Sequence, residues 1–306
     1  MNQTTDQSEL VSFGAAAPST FSKIFTFLIR YWQRYPLGVF SVLLILALTV
    51  IAIFAPFFAP FDPIEVHRKD SLAGPSSTYL LGTDSFGRDV LSRLIYGSRI
   101  SLYVGVAPIL ISTIIGTIIG VLSAYLGGRM DALLQRFMDA LMAIPALVIA
   151  LTMVALLGAS ANNVIIAIAV VTMPQINRVV RGVTYQILSE PFIDAAISLG
   201  ASNTRIVIQH VLPNIVAPVV VVGASLIGLA ILAEAGLSFL GLGIPPPQPT
   251  WGNMLGGSNR DFFEVAPWLA IFPGLSITIT VLGFNILGDT IRDLLDPRTR
   301  GSNERF

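Results

Sequence analysis

The chain has 306 residues, 54% of them hydrophobic and only 12% charged, with a mean hydropathy of +0.76, which excludes an ordinary soluble domain and marks an integral membrane protein. Lys plus Arg and Asp plus Glu both number 18, so no field over the whole molecule points to nucleic acid or to an acidic partner. With no cysteine, and with its two histidines, His67 and His210, far apart, the chain offers neither a disulfide framework nor a metal-ligand cluster.

Residues 1–36 are too long and too polar for the basic region of a cleavable signal, and the apolar run behind them is too long for a signal core, so that run reads as a retained anchor. A hydrocarbon core about 30 Å thick needs roughly 20 apolar residues at about 1.5 Å each. Six segments meet or approach that length: 37–60, 100–126, 137–158, 164–180, 214–243 and 267–291. The fourth is the weakest, because TMPQINRVVRG turns polar before a full span is complete and Pro174 is expected to kink it. With the N-terminus in the cytoplasm, twelve Lys and Arg residues fall inside (the N-terminal tail, 127–136, 178–212 and beyond 291) and six outside (five between 61 and 99, plus Arg260). The positive-inside rule therefore predicts that both termini are cytoplasmic.

Between the first two spans, Phe86, Val90, Leu91, Leu94 and Ile95 can share one side of a helix and Arg88, Asp89, Ser92 and Arg93 the other, which predicts an amphipathic segment on the outer interface. It would serve as a cap on the membrane domain or as a landing surface for an external protein. The stretch from Gly127 to Arg136 reads as a tight, solvated cytoplasmic turn, with Asp131 and Arg136 available for pairing. The fifth span is rich in small residues (among them Gly223, Ala224, Ser225, Gly228 and Gly236), which let helices approach closely without any drive from lipid. Trp251 and Trp268 bracket an outer loop, as interfacial aromatics do. At the end of the sixth span Asp289, Arg292 and Asp293 stand at i, i+3 and i+4, a spacing that predicts a salt-bridged helix end, terminated by Pro297.

Six spans with little soluble mass imply transport, and the question becomes where the energy comes from. The only lysines are Lys23 and Lys69, neither preceded by glycine, so no Walker A loop cradles ATP here. The one clearly intramembrane charge is Glu234. A single carboxylate there reads as a packing or hydrogen-bonding group before it reads as a proton relay, which leaves an ion-coupled carrier as the lesser alternative. The energy source is therefore expected in another polypeptide.

The stretch DAAISLGASNTRIVIQHVLPN, residues 194–214, supplies the connection. Asp194, Ala195 and Ala196 open a helical turn that Gly200 interrupts, Ser202 or Asn203 can cap a second helix, and Pro213 suits the first turn of the span that follows. A basic composition would fit a helix lying on lipid, but the segment holds one Arg, one Asp and one His, so its small, apolar face is predicted to receive a protein.

This stretch resembles the EAA loop of ABC-importer permeases, E-A-A-x3-G-x9-I-x-L-P, with Asp194, Ala195, Ala196, Gly200, Leu212 and Pro213 in register; it departs from the pattern at Asp194, for Glu, and at His210, for Ile. The blocks LGTDSFGRDVLSRLIYGSRISL, GGRMDALLQRFMDALMAIPAL, LSFLGLGIPPPQPTWGNML and FPGLSITITVLGFNILGDTIRDLLDPR resemble the C-type dipeptide, oligopeptide and nickel permeases. That resemblance implies an all-α membrane protein of six transmembrane helices with the type I importer fold, set in the bacterial inner membrane. It implies a cytoplasmic tail at 1–36, a permease domain at 37–291 with an outer loop at 61–99 and a cytoplasmic coupling loop at 181–213, and a second tail at 292–306. The coupling loop would act through Asp194, Ala195, Ala196, Gly200, Ala201, Ser202, His210, Leu212 and Pro213. The implied partners are a homologous second permease, two cytoplasmic ATPases that bind the ATP, an extracytoplasmic substrate-binding protein and the lipid bilayer. The implied cargo is short peptides, with nickel or a nickel chelate as the alternative; the chain itself would be no enzyme, and would hold no cofactor, no metal and no nucleic acid.

Overall fold

The structure, a computed structural model, describes residues 36–295, so nearly all of the N-terminal tail, Pro297 and most of the C-terminal tail lie outside the described residues. Within them the chain is almost wholly helical, with one isolated β-bridge between Thr83 and Asp89. Besides a single α turn at Ala55–Phe58 and 3-10 turns at Arg68–Asp70 and Gly257–Phe262, the helices are α1 (Pro36–Ile53), α2 (Val90–Leu126), α3 (Gly128–Ala143), α4 (Ala146–Leu157), α5 (Ala161–Leu188), α6 (Pro191–Ser198), α7 (Asn203–Ile206), α8 (Leu212–Phe239), α9 (Trp251–Leu255) and α10 (Trp268–Leu295). A π-helical turn, Val207–Val211, joins α7 to α8. Five helical segments are long and apolar enough to cross a membrane, or six if the bent pair α3 and α4 makes one span.

That pair corrects the third expected span. Residues 137–158 are not one helix: Ile144, held extended in front of Pro145, ends α3, and α4 leaves at 91°. The 12 residues of α4 reach only about 18 Å, too short to cross alone. Nor is 127–136 a solvated turn: the chain turns at the positive-φ pair Gly127 and Gly128, and α3 runs on from Gly128 itself. The fourth span is longer than expected and runs from Ala161 to Leu188 as one helix through Pro174.

Glycine contacts give the helix directions. Along α2, Gly116 faces Met173 and Ile176 while Gly120 faces Asn177 and Val180, so α2 and α5 run parallel. Gly105 faces Ile231 while Gly223 faces Thr113, which makes α8 antiparallel to α2. Gly228 faces Val281 and Asn285, Gly288 faces Ser225, and Gly38 faces Thr290, so α10 opposes both α8 and α1. Pro36 and Leu295 therefore lie at the same end of the bundle as the segment 189–211. The small residues of α8 serve close packing against α2 and α10.

The opposite end is closed by a cap built from residues 59–89 and 240–266. Asp89 is the N-cap of α2, its Oδ2 accepting from Ser92 N and Oγ at 2.7 Å each. Asp84 accepts from the backbone N–H groups of Phe86 and Arg88 and from Arg88 Nε at 2.7 Å. Arg93, 4% exposed, donates to the carbonyls of Pro63 at 2.9 Å and Pro247 at 3.4 Å, with Asp84 at 3.5 Å. The expected interfacial helix over 85–96 is thus replaced by a turn and the start of α2, and its polar side is buried against the cap. The two tryptophans are also structural pins: Trp251 is buried and donates from Nε1 to Leu94 O at 3.0 Å, and Trp268 donates to Thr83 O at 3.1 Å. Burial, joined by the Asp70 carboxylate to which its hydroxyl donates at 3.0 Å, holds the Tyr79 phenol above its ordinary pKa.

Arg93→Met is expected to destabilise the protein by about 3 kcal/mol, the low end for breaking a buried charge pair, because Asp84 keeps Arg88. Thermal unfolding in detergent, with proteolysis of the 59–89 segment as the local readout, checks it. An unchanged melting temperature with an equally resistant cap would show that Arg93 holds nothing.

Glu234, 1% exposed near the cap end of α8, accepts from Ser238 Oγ at 2.7 Å and makes no ion pair among the described residues. Gly252 packs directly on Ala235 and Ser238, which places this carboxylate in the joint between α8 and the cap.

Candidate functional site

The elbow between α5 and α8 is assembled by local rules. Pro191 stands at the first position of α6, where a missing N–H costs nothing, and Asp194 sits in its first turn at the positive end of the helix dipole. The helix ends in a Schellman motif: Ala201 N donates to Ala196 O at 3.0 Å and Gly200 N to Ile197 O at 2.9 Å, with Gly200 at φ +82°. Ser202 then caps α7, its Oγ accepting from Arg205 N at 3.4 Å. Ala195 and Ser202 are exposed, Ala196 and Ala201 half-buried. The His210 ring packs on Phe192 with centroids 5.9 Å apart, so the residue that departs from the motif ties the second arm of the elbow to the first. Leu212 and Pro213 are exposed at the start of α8; the π turn before them carries the helix past the proline, whose ring would collide with a carbonyl in a regular α-helix.

Gly200→Ala tests the turn cleanly, since a Cβ there would meet nothing within 4 Å and only the left-handed backbone opposes it. A loss of about 1–2 kcal/mol is expected, read as a lowered melting temperature. An unaltered one would mean that the turn is not held in this conformation.

One face of the elbow is rooted. Ile193, Ile206 and Val211 are buried in the same core cluster as Ile187 at the end of α5 and Ile215 at the start of α8. The other face is bare: Leu199 is 89% exposed, Ile208 57%, Ile197 54% and Phe192 45%. Ile208 belongs to the apolar flank expected along the second helix, with Ile206, Val207 and Val211, whereas Leu199, Ile197 and Phe192 were not among the sequence candidates. The sequence signal was the run of apolar residues at 192, 193, 197 and 199, more than one buried face of a short helix can take.

A polar clamp braces the helix that enters the elbow. Arg181 Nε and Nη2 donate to the two Asp131 carboxylate oxygens at 2.7 and 2.6 Å, Tyr185 OH donates to Oδ2 at 3.0 Å, and Ser123 Oγ donates to Oδ1. Gln135 Nε2 donates to Ser123 Oγ at 2.8 Å. The ends of α2, α3 and α5 are thereby locked together one turn before the elbow begins, and a bidentate Arg–carboxylate pair fixes angle as well as distance.

Of the three residues of the expected bridge at the end of α10, Asp289 and Arg292 do not pair with each other, and neither has an ion-pair partner among the described residues. Both line a cavity of about 610 Å³ between α5, α8 and α10. Among the described residues no cluster of metal-ligating side chains occurs.

Comparison with known proteins adds the relationship. Residues 116–301 match the family described as binding-protein-dependent transport system inner membrane component, and residues 28–75 match the N-terminal transmembrane domain of oligopeptide transport permease C. The chain is 42% identical over 268 residues to a dipeptide transport system permease protein of Alkalihalophilus pseudofirmus, covering 88% of each chain. It is 41% identical over 275 residues to a glutathione transport system permease protein of Pectobacterium atrosepticum, covering 89% of this chain and 91% of the relative. The glutathione permease protein of Escherichia coli O157:H7 is 42% identical over 276 residues, with the same coverage.

Proposed function

Because this chain belongs to the family of binding-protein-dependent transport system inner membrane components, we propose that it is one permease subunit of an ATP-driven importer of short peptides. The dipeptide and glutathione permeases among its relatives support that cargo, and the nickel alternative finds no support in them. In this reading the protein pairs with a homologous permease so that each supplies half of the pathway. Two ATPases bind below the pair and a substrate-binding protein delivers peptide to the capped end. Both termini and the elbow face the cytoplasm, in keeping with the excess of Lys and Arg on that side.

The observation that carries the coupling role is an apolar elbow, bare on one side, that continues without a break into α8. Ordinary soluble surfaces rarely leave so many large apolar side chains together uncovered. Motion of an ATPase subunit against Leu199 and its neighbours would be transmitted through buried Ile193, Ile206 and Val211 to α8 and, through the Asp131–Arg181 clamp, to α5.

The test is purification of the chain from cells expressing its neighbouring genes, followed by uptake of labelled dipeptide into proteoliposomes. A bound ATPase and uptake that requires ATP are expected. Uptake by the isolated chain driven by an ion gradient would replace the importer with a secondary carrier, and unimpaired peptide uptake in cells lacking the protein would reduce it to a scaffold.

A further inference from the structure

Helix α3 does not stand upright in the bundle. Asn163 Nδ2 donates to Leu157 O and to Gly158 O at 2.9 Å each, and Ala146, Leu147 and Ala150 line one cavity with Ile168, Val171 and Thr172, so α4 runs beside α5 as the first arm of an antiparallel hairpin. Since α3 meets α4 at 91°, it lies across α5. Its ion pairs agree: Asp131 with Arg181 at 2.6 Å and Asp139 with Arg178 at 3.0 Å are separated by about 12 Å along α3 and only about 4.5 Å along α5, at about 1.5 Å per residue. A span of roughly 20 residues counted from Val164, where the polar turn gives way to apolar residues, ends at about residue 183. The crossing with α5 therefore falls at the membrane boundary on the elbow side, with α3 nearly parallel to the bilayer plane.

The two sides of this helix differ. Towards the bundle, Asp131 is held by Arg181 and Tyr185, Gln135 donates to Ser123, and Met138 is buried. On the opposite side Met130, Leu133 and Phe137 follow at i, i+3 and i+7 and are 51%, 65% and 60% exposed. Arg129 and Arg136, two turns apart, stand exposed along the same stripe. Neither arginine has an ion-pair partner among the described residues, and both acids of α3 are already engaged by Arg181 and Arg178. Water alone would suit the arginines and not the stripe, and a close protein contact would suit the stripe while desolvating two guanidinium groups. The edge of a leaflet satisfies both, with apolar side chains among the acyl chains and basic heads at the phosphates.

We propose that the outer side of α3 is a binding site for anionic phospholipid of the leaflet on the elbow side, with Arg129 and Arg136 on headgroup phosphates and Met130, Leu133 and Phe137 against the acyl chains. A guanidinium offers paired donors to phosphate oxygens, which favours a phosphate with net negative charge over a zwitterionic headgroup whose own cation competes. The site stands apart from the importer reading and holds whatever the chain carries. It has a structural consequence all the same: Asp131, on the inner side of the same helix, grips Arg181 just before the elbow, so bound lipid would press on the root of that elbow.

The natural absence of cysteine allows a local readout. Ala140, exposed one turn beyond Arg136, is changed to Cys in the full chain, which is labelled with a small fluorophore and placed in phosphatidylcholine vesicles with whatever subunits accompany it. Quenching by phosphatidylglycerol brominated on its acyl chains is compared with quenching by phosphatidylcholine brominated in the same way. Phosphatidylglycerol is expected to be preferred at this position by about fivefold for each arginine at low salt. The preference is expected to vanish in Arg129→Gln/Arg136→Gln and in molar salt, and to survive largely in Arg129→Lys/Arg136→Lys. Equal quenching by the two lipids would reduce the surface to a non-selective apolar one, quenching by neither would mean that another subunit covers α3, and a preference that both glutamines leave intact would place the selectivity elsewhere; each overturns the proposal. Should the glutamine variant not fold, the salt series on the arginine-bearing chain decides alone, since a preference that molar salt leaves unchanged overturns the proposal as well.

Discussion

Leu199→Asp is expected to lower ATP-dependent peptide uptake about thirtyfold or more while leaving the chain folded. The side chain is 89% exposed and contributes nothing to its own subunit's core, and a surface substitution of that kind usually changes stability by less than about 0.5 kcal/mol. In a docked complex the same position would be an apolar residue at the tip of a protruding turn, buried in a partner's pocket. A charge there removes the contact and leaves a desolvated carboxylate, a loss of about 2 kcal/mol or more for a central interface residue, which is about thirtyfold at 1.4 kcal/mol per factor of ten. The paired readouts are the amount of ATPase that co-purifies and the melting temperature of the chain. A low recovery of ATPase with a normal melting temperature is the expected pattern. Ile193→Asp supplies the contrast, because that side chain is 2% exposed in the core, and it should lower both. If Leu199→Asp transports as well as the native protein with a full complement of ATPase, the elbow is not the contact.

The membrane class and the existence of most spans were legible because they follow from length and apolar composition alone. The elbow was legible as an outline for the same kind of reason: Gly200 and Ser202 each have one strong local preference, and the Schellman turn and the cap satisfy those preferences with no help from distant residues. Where the reading failed, a distant partner decided. Asp89, Ser92 and Arg93 look like the wet side of an interfacial helix until the loop at Pro63 and the proline run at Pro247 close over them. Asp131 looks like a loop residue until Arg181, fifty positions on, takes both of its oxygens. Residues 137–158 look like one straight helix because hydropathy is blind to the direction change at Pro145. The converse failure is Asp289 and Arg292, where helical spacing promised a pair and the side chains stay apart, since an i, i+3 relationship permits a bridge without requiring it. The exposed residues Ile197 and Leu199 were missed because motif positions mark what shapes the turn, whereas the partner-facing side chains sit between them.

Two glycines carried by α2 and α5 give the second large effect, and they should respond with opposite sign. Gly120 stands where α2 presses on α5: a Cβ there would lie 2.9 Å from Asn177 O and from Val180 Cβ, and four residues back a Cβ on Gly116 would lie 3.1 Å from Met173 O. Backbone oxygens cannot rotate away, so the parallel helices would have to separate along the seam, which is the reason small residues recur at such contacts in lipid. Gly120→Leu is expected to destabilise by about 3 kcal/mol or more, at the upper end for overpacking, and to disturb the Asp131–Arg181 clamp one turn further along the same seam. Gly182, next to Arg181 in α5, has nothing within 4 Å of its would-be Cβ and an ordinary helical backbone. Gly182→Ala should therefore raise helix stability by up to about 1 kcal/mol. Melting curves of the two variants in one detergent decide the point. A Gly120→Leu protein as stable as the native one would mean that α2 and α5 are not in contact as described, and the rigid link from the elbow to the bundle would lose its physical basis.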